Sequence, residues 1–351
     1  MHGVPDISTF GAVWWLFQIP PKEQLLELLD NYTMWLLGGV ILLLAILSVV
    51  GRVLRKKPEG TINPAVSRMF NRRIRAWWLM TAILVSGFML GATSTVVLFG
   101  LVSFWALREF ITMTPTRRGD HRALFWVFFV FTPAQYVLVG MGQEMYPFYS
   151  IMIPLYASLF VPTRIAISGD HRRFLERSAK IQVGLLICVY ALSFAPALLD
   201  VEFYLDGEGQ GEERALWPGS PAGLLFYFIL IVELSGVAQY AWGKMLGKHV
   251  IAPEINASRT WEGLFGGAAT ATIFGVLLKW ATPFTVWESA FMAMIIAVMG
   301  FAGEMTLSAI KRDRGVSDYG TLVQGHAGLL DRIDSLCFAA PVFFHLAKFF
   351  A

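Results

Sequence analysis

The sequence is short of charge. Lys, Arg, Asp and Glu make up 15% of 351 residues, and 28 basic against 25 acidic groups leave a formal +3. A soluble chain of this length needs more polar surface to enclose its core. Cysteine is scarce too: there are two, Cys188 and Cys337. Both lie in apolar runs, which argues against a disulfide framework or a thiolate metal pair, and each reads as a small buried hydrophobe. No internal repeat or low-complexity tract is visible, and a disordered chain is excluded by the apolar content. The small net charge gives no reason to expect a nucleic-acid partner.

What is abundant is apolar. The Ala/Val/Ile/Leu/Met/Phe/Trp/Tyr/Cys set accounts for 56% of the residues and aromatics for 14%. It is blocked into runs of roughly 18–22 residues, about the length that spans ~30 Å of hydrocarbon. Ten such segments can be read, at about 33–53, 76–91, 92–107, 122–140, 145–163, 181–199, 220–243, 262–280, 286–307 and 335–351. Nine or eleven are the alternatives, because several runs contain Gly or Pro and two are short. The runs do not alternate apolar and polar residues as barrel strands would. The expected fold is therefore an all-α polytopic integral membrane protein with about ten transmembrane helices.

Basic and non-basic loops alternate along the whole chain. Arg52, Arg55, Lys56, Lys57, Arg68, Arg72, Arg73 and Arg75 lie between the first two spans, whereas Gly91-Ala92-Thr93-Ser94 is uncharged. Arg108, Arg117, Arg118 and Arg122 mark the next basic loop, and Arg164, Arg172, Arg173, Arg177 and Lys180 the one after. The loop from Asp200 to Glu213 is acidic. The positive-inside rule puts the basic loops in the cytoplasm and the N-terminus and residues 200–219 outside. Most of these basic residues need no role beyond topology. Three regions follow: an extracytoplasmic interfacial segment at 1–32, a multispan membrane region at 33–219, and a C-terminal region at 220–351 that concentrates polar chemistry. The N-terminus does not read as a signal peptide, since no Lys or Arg precedes its apolar patch.

Acids inside spans are costly and are functional candidates. Glu233, Glu262 and Glu304 are three. If the ninth span continues as a helix, Glu304, Ser308 and Lys311 share one face at i, i+4 and i+7. Beyond them come Arg312, Asp318, the Gly-spaced stretch Gly325-His326-Ala327-Gly328, then Asp331, Arg332 and Asp334. A helical start to the last span puts Asp331 and Asp334 on one face. Glu304, Asp318, Asp331 and Asp334 suit Mg²⁺, a hard cation that takes carboxylates and substrate phosphates. Lys311, Arg312 and Arg332 suit phosphate oxygens. The glycines would let backbone N–H groups approach an anion. Together these residues point to phosphoryl or nucleotidyl transfer involving a lipid.

The run Ser308-x-Ile310-Lys311-Arg312, then Ser317-Asp318-x-Gly320, then His326-Ala327-Gly328-Leu329-x-Asp331-Arg332-Ile333-Asp334 resembles the C-terminal signature of the phosphatidate cytidylyltransferases. Tyr240 to His249, followed by Thr260-Trp261-Glu262-Gly263, is similar to that family's upstream motif. The resemblance covers about 230–340, and residues 1–220 match only as a hydrophobic multispan region. Departures mark a divergent branch. Ser317 stands for Lys, Gln324 for Pro or Gly, Ala327 for Gly, Glu304 for Asp, and Leu307 for an acid. Gly236 stands where an Asp is expected, with Glu233 one turn earlier, and the basic pair before Thr260 is reduced to Ser258-Arg259.

The resemblance implies transfer of a cytidylyl group from CTP to a lipid phosphate such as phosphatidate, giving CDP-diacylglycerol and pyrophosphate. It implies Mg²⁺ held by Asp331, Asp334 and Glu304, with a second cation left open. Asp318 would be a ligand or an orienter of Arg332. Lys311, Arg312 and Arg332 would hold phosphate, and His326 would donate to a phosphate oxygen. Lys244, Lys248, Arg259 and Thr260 would form the nucleotide side, with Glu262 and Ser308 lining it. Gly263, Gly266 and Gly267 read as close helix packing and not as a phosphate loop. The resemblance also suggests a homodimer. A bacterial inner membrane with the site facing the cytoplasm is expected. The alternatives are a cytidylyltransferase for another lipid phosphate, and a non-catalytic or transporter-like membrane paralogue.

Overall fold

The computed structural model describes residues 30–56, 64–113, 116–204, 216–316 and 328–350. Among the described residues ten long helices run in order: α1 Asn31–Lys56, α2 Pro64–Met89, α3 Ala92–Met113, α4 Arg118–Gly140, α5 Gln143–Ala166, α6 Phe174–Asp200, α7 Pro221–Leu246, α8 Trp261–Leu277, α9 Val286–Asp313 and α10 Leu330–Phe350. Eight are long and apolar enough to cross a membrane. In α2 the apolar part is the shorter Trp77–Met89, and α8 has 17 residues. Among the described residues there is no strand, only two isolated bridges. The protein is an all-α polytopic membrane protein. Its boundaries follow most ends of the apolar runs, but α2, α6 and α10 begin earlier, at Pro64, Phe174 and Leu330, and α3 and α9 continue past their runs to Met113 and Asp313.

Contacts divide the chain into two compact units, 1–95 and 96–351. In the first, α1 packs on α2, and Trp78 Nε1 donates to Ser48 Oγ at 3.0 Å. Trp35 and Leu42 of α1 are exposed, as a lipid-facing surface requires. Leu90-Gly91 joins α2 to α3, and Gly91 has φ +99°, a conformation that favours glycine.

In the second unit, α4, α5 and α6 each contain a π-helical stretch, at Val127–Phe131, Met152–Ala157 and Leu186–Ala191. Pro133, Pro154 and Pro196 lie in or after them and remove backbone donors. Hydroxyls take up two of the wider turns. Thr132 Oγ1 donates to the Val127 carbonyl at 2.8 Å, and Ser158 Oγ to that of Ile153 at 3.1 Å. Such repair is needed where no water is at hand. Gln135 is fully buried and reaches the Tyr149 carbonyl and Ser193 Oγ, both at 3.0 Å.

The C-terminal helices pack in sequence, α7 on α8, α8 on α9 and α9 on α10, while α6 also packs on α10. Small residues permit this. A Cβ on Gly266 would meet the Trp242 ring at 2.5 Å, and one on Gly267 would meet Gln239 Cγ at 2.2 Å and its backbone at 2.9 Å. A Cβ on Gly303 would meet the Asp334 carbonyl at 2.5 Å. Close approach of this kind replaces hydrophobic drive as the source of helix association in lipid. Gly267→Val is expected to destabilise the protein by about 1–3 kcal/mol, the usual cost of overpacking. Thermal unfolding in detergent checks it, and an unchanged midpoint would show that α7 and α8 do not touch there.

Candidate active site

The site begins in the link between α7 and α8. Val250 and Thr260 form an antiparallel bridge, with Ile251 N–H donating to the Arg259 carbonyl and Trp261 N–H to that of His249, both at 3.0 Å. Thr260 then caps α8, its Oγ1 accepting the Gly263 N–H at 3.1 Å. Such a cap fixes where the helix starts. It also fixes Arg259, whose side chain reaches α9. Arg259 Nε donates to Glu304 Oε1 at 2.8 Å and Nη2 to Oε2, a two-pronged charge-assisted pair. The third guanidinium nitrogen, Nη1, is buried without a partner among the described residues. An unspent buried donor beside a carboxylate leaves a position that an anionic oxygen would fill.

The second pair joins α9 to α10. Lys311 Nζ donates to Asp331 Oδ1 at 2.7 Å, and Asp331 Oδ2 accepts the Gly328 N–H at 3.1 Å. Asp334 lies one turn on and is 9% exposed. The Ser335 N–H bonds its Oδ1 at 2.7 Å, and the charges of Glu304, Lys311 and Asp331 all act on it. Because α9 is helical through Asp313 and α10 starts at Leu330, the predicted shared faces are present.

The remaining candidates divide. Ser308 is buried and accepts from Asn256 Nδ2 at 3.4 Å, and Arg312 Nε donates to the Ile255 carbonyl at 3.1 Å. Both therefore tie the helical turn Pro253–Asn256 to the end of α9. Glu262 holds His249, with Oε1 2.6 Å from Nδ1 and Oε2 accepting the His249 N–H at 3.3 Å, so it braces the link. Lys244 and Lys248 are exposed on the same stretch, and Arg332 is half-buried. Asp318 and His326 lie outside the described residues. The Gly328 N–H, expected to be open to an anion, is instead spent on Asp331.

Among the described residues, no three His, Cys, Asp or Glu side chains are gathered at metal-binding spacing. The donor chemistry nonetheless fits a hard divalent ion. Glu304, Asp331 and Asp334 supply only oxygens, and the first two are paired with Arg259 and Lys311.

A buried acid beside these residues escaped the reading of the sequence. Glu109 of α3 is 7% exposed; its Oε1 accepts the Leu329 N–H at 3.1 Å and its Oε2 the Leu330 N–H at 2.9 Å. Trp105 Nε1 also donates to Oε1 at 3.1 Å. Phe110 and Ile111, just after it, were the available signal: the apolar run resumes, so Glu109 is an intramembrane acid.

The chain belongs to the cytidylyltransferase family, which matches residues 71–350. It is 34% identical over 281 residues to "Uncharacterized protein YnbB" of Escherichia coli strain K12, covering 79% of this chain and 87% of that one. It is also similar to phosphatidate cytidylyltransferases. That of Staphylococcus haemolyticus is 32% identical over 120 residues, 34% of this chain and 46% of its own. That of Mycobacterium leprae is 34% identical over 131 residues, 36% of this chain and 41% of its own. The chain thus spans less than half the length of the phosphatidate enzymes it matches.

Proposed function

We propose that the protein transfers the cytidylyl group of CTP to a lipid phosphate, with phosphatidate as acceptor and CDP-diacylglycerol and pyrophosphate as products. One observation carries this reading: Arg259 on Glu304 and Lys311 on Asp331 bring three separate stretches of the chain together, with Asp334 under their charge. An oxygen of the lipid phosphomonoester bonds to the α-phosphorus of CTP as the α–β bridge breaks, and pyrophosphate leaves with the bridging oxygen. Phosphomonoesters have a second pKa of about 6, so the nucleophile is already an anion and needs no strong protein base. The work is positioning and charge neutralisation.

Arg259, through Nη1, and Lys311 would take phosphate oxygens, while Lys244, Lys248 and Arg332 add positive field. His326 would donate to a phosphate oxygen. Glu304, Asp331 and Asp334 would hold Mg²⁺, with Asp318 a fourth candidate. When bound, that ion would polarise the phosphoryl oxygens and offset the developing charge. The basic loops support a cytoplasmic position for this end of the helices, and a bacterial inner membrane is the proposed location.

A second acceptor is favoured by one observation. Similarity to the phosphatidate enzymes covers under half of their length, whereas similarity to the Escherichia coli relative covers 87% of its own. Another lipid phosphate, of polyprenyl or ether-lipid type, would then replace phosphatidate. The test is to incubate membranes containing the protein with labelled CTP, Mg²⁺ and a panel of lipid phosphates, and to identify the product by mass. A CDP-lipid from phosphatidate is expected. A CDP-lipid from another acceptor alone would move the substrate, and untouched CTP with every acceptor would overturn the transfer reading.

A further inference from the structure

An acid buried within an apolar helix is costly unless every oxygen is used. Glu109 uses both, and its partners lie 220 and 221 residues away, on the turn that opens α10. The first N–H groups of a helix have no intrahelical acceptor, and negative charge is favoured there. Glu109 supplies that acceptor from α3, while Gly328 N–H is taken by Asp331 itself. The four residues from Gly328 to Asp331 are therefore held at both ends. One end is α3 through the amides of Leu329 and Leu330, and the other is α9 through Lys311 and Asp331. Trp105, one turn before Glu109 on α3, steadies the carboxylate through its indole N–H.

We propose that Glu109 is a positioning residue for cytidylyl transfer: it fixes the turn that aims Asp331 at the reacting phosphates and their divalent ion. This rests on the transfer reaction proposed above. It gives the N-terminal helices a part in the chemistry beyond membrane anchorage. It also means that the amides of Leu329 and Leu330 do not bind phosphate, because an internal carboxylate already occupies them. Phosphate recognition is left to guanidinium and ammonium groups.

Glu109→Gln keeps the shape but replaces one accepting oxygen with an NH₂ group, which cannot accept an N–H. Glu109→Asp keeps the charge and withdraws it by one methylene. In the full-length protein in detergent, with CTP, phosphatidate and Mg²⁺, both variants are expected to lose about 10- to 100-fold in kcat, the usual cost of removing a group that orients a metal ligand. The half-saturating Mg²⁺ concentration should rise while the KM for CTP changes little. A merely structural defect would lower the amount of folded protein and leave these constants alone. Backbone hydrogen exchange over 328–334 should quicken in both variants, with α6 unaffected. Parental kcat and Mg²⁺ dependence in Glu109→Gln would overturn the proposal, as would unchanged exchange over 328–334. If the parent itself forms no CDP-lipid, the proposed reaction fails, and the exchange comparison alone decides: faster exchange upholds the positioning contact, and equal exchange removes it.

Discussion

Asp331→Asn is expected to lower turnover on the order of 100-fold or more, as removal of one preorganised group from a charged active site does, and to leave the protein folded. The amide is isosteric. One of its two terminal atoms still accepts, so either the Lys311 ammonium at 2.7 Å or the Gly328 N–H at 3.1 Å keeps a partner. What disappears is the negative charge. A carboxylate is lost from beside the Lys311 ammonium, whose side chain is 16% exposed, and a divalent ion loses an anionic oxygen. Pyrophosphate release from CTP at saturating Mg²⁺ measures the effect, with the unfolding midpoint as control. Undiminished turnover would remove Asp331 from the reaction, and with it the pairing on which the functional reading stands.

The largest stability effect should come from Arg177→Ala, which is outside the residues proposed for the chemistry. Arg177 and Asp120 have side chains 4% and 1% exposed, and Arg177 Nη2 lies 2.5 Å from Asp120 Oδ1. Arg177 Nε contacts both Asp120 oxygens at 3.0 Å, and Nη1 donates to the carbonyls of Asp170 at 3.0 Å and Arg172 at 2.8 Å. Asp120 also accepts the Arg117 N–H at 2.9 Å. Removing one partner leaves a buried charge uncompensated, which costs about 3–5 kcal/mol. The pair clasps the first turn of α4 to the first turn of α6. Asp170 completes it. The Arg117 side chain holds its carboxyl below the usual carboxylate range, with the Arg172 N–H next in effect. A lowered pKa stabilises above the ordinary carboxylate value, and the contribution is lost as pH falls through the lowered one. Thermal unfolding of Arg177→Ala, Asp120→Ala and the double variant tests the clasp. The double variant should lose clearly less than the two single losses added together. Strict additivity would show that the groups do not interact.

Some of the site was legible because it is local. Glu304, Ser308 and Lys311 share a face wherever the ninth span is helical, and Asp331 and Asp334 do so once the tenth begins at Leu330. These relations follow from 3.6 residues per turn and need no knowledge of neighbours. The contact that Glu262 makes was not legible, for the opposite reason. An acid at the first turn of a span can face substrate or brace a loop, and only the bridge that brings His249 to it decides. Ser308 and Arg312 were read as facing substrate. The turn Pro253–Asn256 sits against them, and that turn carries no signal of where it docks.

Chain composition by itself determined that this is a bundle of membrane helices, where each begins and ends to within a turn or so for most of them, and which side chains stack along one helix. Those are properties of apolar run length and backbone periodicity. Tertiary structure alone decided that Arg259 meets Glu304, that Lys311 meets Asp331, and that Glu109 reaches across to the start of α10. In lipid, which helix stands beside which depends on small residues such as Gly267 and Gly303 allowing backbones to touch, and such contacts choose partners that no local pattern encodes.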